Sequence, residues 1–599
     1  MTMTSPDKLN QLRQLMLQEN IDALIVPKAD EHQGEYIGAH SERLFWLTGF
    51  DGSAGFSIIL PKKASLFVDG RYTLQATKQV DTSIFEIIPV AEISGPKWLA
   101  QHLSPGAKVA YDPWLVTEKE LNSYKIALKD KNIIFLPLEK NLVDQIWLNR
   151  PKKTCEPIYL HPLEFAGQEF QEKLKIISKE LREIQAFAAV ITMTESVCWL
   201  FNIRGDDYSS LPTTSAFAIV YNTEKADLFI DEQKISEDIR QYFKGFINIK
   251  PFHSFEENLK ALGLHKVHVL IDPATAPVQT IYAVEKTGGK VIRKDDPTIP
   301  LKACKNNAEL EGMRRAHIRD GAALTTFLHW VKKEGPKGHL DEMQATEKLL
   351  ACRQRFSEFK KLSFSTISGT GPNGAIIHYK VSPETNQKIA PNDIYLSDSG
   401  GHYIDGSTDV TRTIAIGETS PEQRDRFTRV LKGHIALATS IFPQGTTGSQ
   451  LDILARHALW QVGLDYAHGT GHGVGAVLNI HEGPQRISNV PNFVSLKPGM
   501  ILSNEPGYYK EGEYGIRIES LVIVKSLEIP KAEKKMLGFE TITFAPIDQA
   551  LIELSLLTDS EIKWLNDYHQ EVYEKLSPLL EVEVQKWLND VTQPLKKKL

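Results

Sequence analysis

Leu9, Leu12 and Met16 recur at helical spacing near the start of the chain and lead into an apolar run, residues 21–26, that predicts a buried strand. Further on, residues 53–69 read SAGFSIILPKKASLFVD, and residues 215–231, at an offset of 162, read SAFAIVYNTEKADLFID. Seven of the seventeen positions are identical, and both copies predict strand, turn, strand with a lysine in the turn. A Trp-Leu pair precedes each copy, Trp46-Leu47 and Trp199-Leu200. Two short strands match by chance fairly easily, but the shared spacing and the upstream pair point to two related α/β domains. The period is far too long for a solenoid. The basic, Pro-containing stretch around 149–157 marks the expected boundary between them.

A third domain begins near 301–305. Leu310, Met313, His317, the run 322–324 and Leu328 follow helical spacing, and strands with glycine turns come after. Ser420-Pro421-Glu422-Gln423 forms a capping box with Pro at the first helical position, and Phe427, Val430, Leu431, Ile435 and Ala438 give that helix its apolar face. A second helix is predicted from about 449 to 462, stopped by Gly463. After Thr558 an amphipathic tail carries Trp564, Leu565, Tyr568 and Val572, a face suited to its own domain or to a partner subunit. The expected division is 1–150, 151–302 and 303–599.

The chain of 599 residues is too long for one core. A net charge of −6 gives no electrostatic reason to expect nucleic acid as partner. Four cysteines, widely separated and without a CxxC, argue against a disulfide framework and against thiolate zinc. The N-terminus lacks a signal-type apolar core, and no stretch approaches the roughly 18 apolar residues of a membrane helix. The terminal KKKL reads as a solvated tail, and the cytoplasm is the expected compartment.

The chemistry lies in the second half. Asp398, Asp409, His472, Glu505 and Glu519 sit in YLSDSGG, STDVTRT, HGTGHGVG, LSNEPGYY and GIRIES. Four carboxylates and one imidazole suit two divalent metals, the carboxylates' formal charge of about −4 offsetting the ions. Hard oxygen donors favour Mn²⁺, Mg²⁺ or Co²⁺. The turn composition of GGHYIDG predicts a hairpin that brings Asp398 and Asp409 together; His402 and Asp405 within it read as turn residues. Either aspartate alone would more simply stabilise a turn. Alternation in GIRIES places Arg517 and Glu519 on one face, opposite Ile516 and Ile518. Residues 369–374 match GxGxxG but contain Pro372 and run into AIIHY, which reads as a strand, so the dinucleotide context fails. No GxSxG or HExxH occurs.

Together these segments resemble the pita-bread metallopeptidase family, whose ordered ligand set Asp, Asp, His, Glu, Glu is present in full. Within it, the long three-domain aminopeptidase P form is most similar, through ADEHQGEYI, GFDGSAGF, VDGRYTLQA and WLNDYH. The resemblance implies an α/β (α+β) chain: two related creatinase-like domains, then a catalytic pita-bread domain with a helical extension. It implies a homodimer that uses two divalent ions, Mn²⁺ expected, to release the N-terminal residue of peptides with proline second. By the same resemblance Asp398 holds one metal, Asp409 and Glu519 bridge, and His472 and Glu505 complete the other. Glu505 also shuttles a proton, and His378 and His481 contact the peptide and its oxyanion. His468 and Tyr509 line the proline pocket, Arg517 supports the carboxylates, and Arg71 reaches the peptide from the N-terminal domain. The competing readings are a prolidase for Xaa-Pro dipeptides, a catalytically silent peptide-binding relative, and a creatinase-like hydrolase working without metal.

Overall fold

The computed structural model describes residues 3–597, so Lys598 and Leu599 of the KKKL tail lie outside the described residues. The chain divides into two compact units, residues 1–163 with 168–299, and residues 164–167 with 300–599. Among the described residues no helix is long and apolar enough to cross a membrane.

The first unit contains the same six-stranded sheet twice. One runs Glu86–Pro89, Ala64–Val68, Phe56–Ile59, Ala23–Pro27, Lys108–Tyr111, Ile134–Pro137, the other Ile247–Pro251, Ala226–Ile230, Phe217–Tyr221, Ala188–Ile191, His268–Ile271, Lys290–Arg293. Parallel and antiparallel pairings also fall in the same places. The Trp-Leu pairs lie on equivalent helices, Arg43–Thr48 and Thr194–Phe201, each closed by a left-handed residue, Gly49 at φ 83° and Asn202 at φ 52°.

One detail corrects the ungapped repeat. In the first hairpin Phe56 faces Phe67, whereas in the second Phe217 faces Phe229. The second strands therefore correspond at an offset of 162, but the first strands at 161. The turn accounts for this. Leu60 and Lys63 close a two-residue turn, while Tyr221 and Lys225 close a three-residue one that includes Glu224 at φ 64°. A three-residue hairpin needs such a left-handed residue, and the extra residue slides one strand by one position.

The second unit is built on a three-stranded sheet, Ile367–Thr370, Asp393–Ser399, Val410–Ile416, and a six-stranded one, Ile441–Pro443, Met536–Thr541, Ser520–Leu527, Ile501–Asn504, Gly471–Gly473, Glu482–Ile487. The helix Asn307–Glu334 starts at a capping box on Asn306, and Pro421–Ala438 at the expected one on Ser420. The helix Gly448–Trp460 ends just before Gly463, which adopts φ 74°. Phe427, Val430, Leu431 and Ile435 share one core with Leu565, Tyr568 and Val572 of the helix Asp559–Leu576. The tail therefore covers its own unit, with Trp564 stacked on Tyr568 at a 5.3 Å centroid distance. Ile516 and Ile518 are fully buried in this same core. Each such burial is worth ~1.5–3 kcal/mol, and it fixes which way the intervening Arg517 and Glu519 point.

Candidate metal centre

Asp398 lies near the end of the central strand Asp393–Ser399, opposite Ile367 on one side and Thr411 on the other. Asp409 immediately precedes Val410–Ile416, and Ser399 pairs with Val410, so the expected hairpin forms. Its connection is more than a turn, because Gly401–Tyr403 pairs with Phe359–Leu362. Within it His402 shares a hydrogen bond with Ser407 (Nδ1 to Oγ, 2.8 Å), and Asp405 accepts from Arg315 and Arg319.

His472 comes from the other sheet, at the centre of Gly471–Gly473. A Cβ on Gly471 would meet the Ser503 carbonyl at 2.0 Å and one on Gly473 the Glu482 carbonyl at 2.3 Å. Only glycines let the neighbouring strands close in around this imidazole. Glu505 follows the strand Ile501–Asn504. Glu519 sits where the backbone leaves the strand Tyr514–Arg517 and before Ser520–Leu527 begins, so GIRIES is a broken strand, with the alternation of faces intact.

These side chains converge. Three overlapping donor groups form, with ligand atoms in each within 4.8 Å of one another: Asp398, Asp409 and Glu519; His472, Glu505 and Glu519; Asp409, His472 and His481. Asp409, His472 and Glu519 belong to two groups each. His472 Nε2 lies 3.4 Å from Glu505 Oε1 and 3.7 Å from Asp409 Oδ2. Its Nδ1–H donates to the Gly473 carbonyl (3.0 Å), which fixes the tautomer and leaves the Nε2 lone pair facing the carboxylates. Thr411 donates to Glu519 Oε2 (2.7 Å), and Ser503 donates to Glu505 Oε1 (3.0 Å).

Arg517 is the cation buried among them. It donates to Asp398 Oδ2 (2.6 Å), Tyr509 Oη (2.5 Å) and Thr411 Oγ1 (3.1 Å). Tyr509 in turn bonds His468 Nε2 (2.9 Å), whose Nδ1–H donates to the Gly469 carbonyl. One arginine does not balance four carboxylates. Burial first, then repulsion from Glu519, Asp398 and Glu505, raises Asp409 well above the usual carboxylate range. Burial, Asp398 and Glu505 do the same to Glu519, and burial with Asp398 pushes Glu505 to about 7. Asp398 Oδ1 is buried with no hydrogen-bond partner. An unsatisfied carboxylate oxygen inside a crowded anionic cluster of hard donors fits divalent cations.

The remaining expected residues are placed as follows. His481 packs edge-on against His472, with ring centroids 4.4 Å apart. His378 follows Ile377, whose carbonyl lies 3.4 Å from Arg517 Nη2. The segment around it is a run of turns after Gly371–Asn373, not the strand expected of AIIHY. Arg71 belongs to the first unit and forms a two-pronged pair with Asp69 (2.7 and 3.0 Å). The sequence reading missed Thr411, Thr413 and Ser503. A period-two signal was there: Asp409, Thr411 and Thr413 alternate onto the face that meets Glu519 and Arg517.

Comparison with known proteins gives matches along nearly the whole chain. Residues 311–526 match metallopeptidase family M24 and 535–595 its C-terminal region, while 8–145 and 149–309 each match the creatinase/prolidase N-terminal domain. The chain belongs to metallopeptidase family M24. It is 41% identical to a probable Xaa-Pro aminopeptidase P of Paracoccidioides brasiliensis (strain Pb03), over 99% of this chain and 100% of that one. Against the counterpart in Ajellomyces dermatitidis the identity is also 41%, covering 98% and 99%. Among solved structures, the X-prolyl aminopeptidase of Caenorhabditis elegans, described as a cytosolic enzyme with a di-nuclear active site, superposes with a TM-score of 0.94 at 34% identity, covering 99% of this chain and 100% of that one.

Proposed function

We propose that this enzyme hydrolyses the bond before proline in peptides with proline in second position, releasing the N-terminal residue. The observation that carries the reading is the set of overlapping donor groups, joined through Asp409, His472 and Glu519, beside the partnerless Asp398 Oδ1. Full-length kinship to Xaa-Pro aminopeptidase P relatives supports the substrate class. Asp398, Asp409, His472, Glu505 and Glu519 would hold two divalent ions, Mn²⁺ the expected one, with Asp409 and Glu519 shared. When bound, such ions supply the charge that acidifies a water and polarises the scissile carbonyl. Glu505 takes up the proton lost by the water and passes it to the departing proline nitrogen, while Ser503 holds its Oε1 in place. His481 and His378 donate to the peptide carbonyl as negative charge develops on it. Tyr509 and His468, held by Arg517, form the wall that receives the proline ring. A homodimer, as the family resemblance implies, working in the cytoplasm completes the proposal; the cytosolic description of the nematode neighbour supports the compartment.

The test is chelation, reloading with Mn²⁺, and assay of Xaa-Pro against Xaa-Pro-Yaa-Yaa peptides. Metal-dependent cleavage of the longer peptides is expected. Hydrolysis confined to the dipeptides would favour the prolidase reading instead.

A further inference from the structure

The segment 464–470 carries His468 yet has no regular secondary structure, so its carbonyls must find donors outside a ladder. Two residues one helical turn apart on Gly448–Trp460 supply and receive those bonds. Arg456, fully buried, donates through Nη1 to the Tyr466 carbonyl (2.8 Å) and through Nη2 to the His468 carbonyl (2.7 Å). The same guanidinium pairs with Asp452 (2.7 Å) and Asp465 (2.8 Å) and lies 3.9 Å over the Tyr466 ring. Asp452 accepts from the Thr470 hydroxyl (2.6 Å), which also bonds the Tyr466 hydroxyl (2.5 Å), and the Thr470 carbonyl receives the Glu505 backbone N–H (2.8 Å). Every second residue from Tyr466 to Thr470 is thus fastened to one buried ion pair. The Tyr466 and His468 rings are 4.8 Å apart, so the fastened backbone sets where the imidazole stands against Tyr509.

We propose that Asp452 and Arg456 are positioning residues that set selectivity for proline in the second position, by holding the His468 wall rigid. This rests on the proline-pocket reading above. A guanidinium reaches two carbonyls and a carboxylate at once, which the single ammonium of lysine cannot do. Charge alone therefore does not suffice.

The test compares matched Xaa-Pro-Yaa and Xaa-Ala-Yaa peptides on wild type, Arg456→Lys and Thr470→Val, with bound metal counted in each. Both variants should lose about tenfold in the Pro-over-Ala ratio of kcat/KM, the worth of one fixed hydrogen bond, mainly through KM for the proline peptide. Bound metal should stay at the wild-type count. An unchanged ratio in Thr470→Val, or a fall shared equally by both peptides, overturns the proposal. Should Arg456→Lys fail to fold, Thr470→Val alone decides. A wild type without proline preference would instead sink the pocket reading itself.

Discussion

Thr411→Val removes one hydroxyl and keeps the side chain's shape. That hydroxyl donates to Glu519 Oε2 at 2.7 Å and accepts from Arg517 Nε at 3.1 Å, at a site closed to solvent. Losing a hydrogen bond to a buried charge costs ~1.5–3 kcal/mol, and leaving the Arg517 N–H bare in the interior adds ~1–3 kcal/mol. The catalytic unit should therefore lose about 2.5–6 kcal/mol, which lowers Tm by about 4–10 °C for a unit of this size. Glu519 is also freed to turn, and loss of such an outer partner weakens metal binding by about 10–100-fold. Calorimetry of the chelated protein gives the first quantity, and Mn²⁺ titration followed by activity gives the second. Thr411→Ser, which keeps the hydroxyl, should recover most of both. Metal affinity within twofold of wild type, with Tm unmoved, would falsify the account of how Glu519 is held.

Three further expectations concern Glu505, Arg71 and two buried histidines. Glu505→Gln keeps the Ser503 contact but removes the charge and the proton acceptor, so kcat should fall by about 10²–10⁴; activity within a few-fold of wild type with metal still bound would overturn its role. Arg71→Met tests the peptide contact that the family resemblance implies for a residue the structure shows paired with Asp69: KM should rise with kcat little changed, and unaltered kinetics would refute that contact. Buried His317 and His569 are held neutral, pushed down to about 4 and about 3 mainly by burial. Because the unfolded chain protonates near 6.5, their contribution is complete above that pH and is lost as pH falls toward the folded values. At pH 5 each costs ~2 kcal/mol, so the Tm gap between wild type and His317→Leu should shift against wild type by about 3 °C between pH 7 and pH 5. A pH-independent gap would refute the buried-histidine argument.

Much of the fold was legible because it rests on local signals. The Ser420 capping box, the stop at Gly463 and the period of Phe427 to Ala438 each act within a turn or two of helix. The repeat was legible as a pattern, but its one-residue slip was not, since that depends on a turn whose extra residue only pairing reveals. AIIHY misled because a short apolar run suits a buried turn as well as a strand.

The sequence alone determined which donors exist and in what order, and through Ile516 and Ile518 which way Arg517 and Glu519 face. It also determined that the N-terminal half is doubled. Only the tertiary structure decided that donors from two sheets meet within 4.8 Å, that Asp398 Oδ1 is left without a partner, and that Thr411, Ser503 and Arg456 hold the neighbouring groups. The reason is range. Alternation and capping are written between neighbours along the chain, whereas Thr411 and Glu519 are 108 residues apart and meet only when the two sheets close on each other.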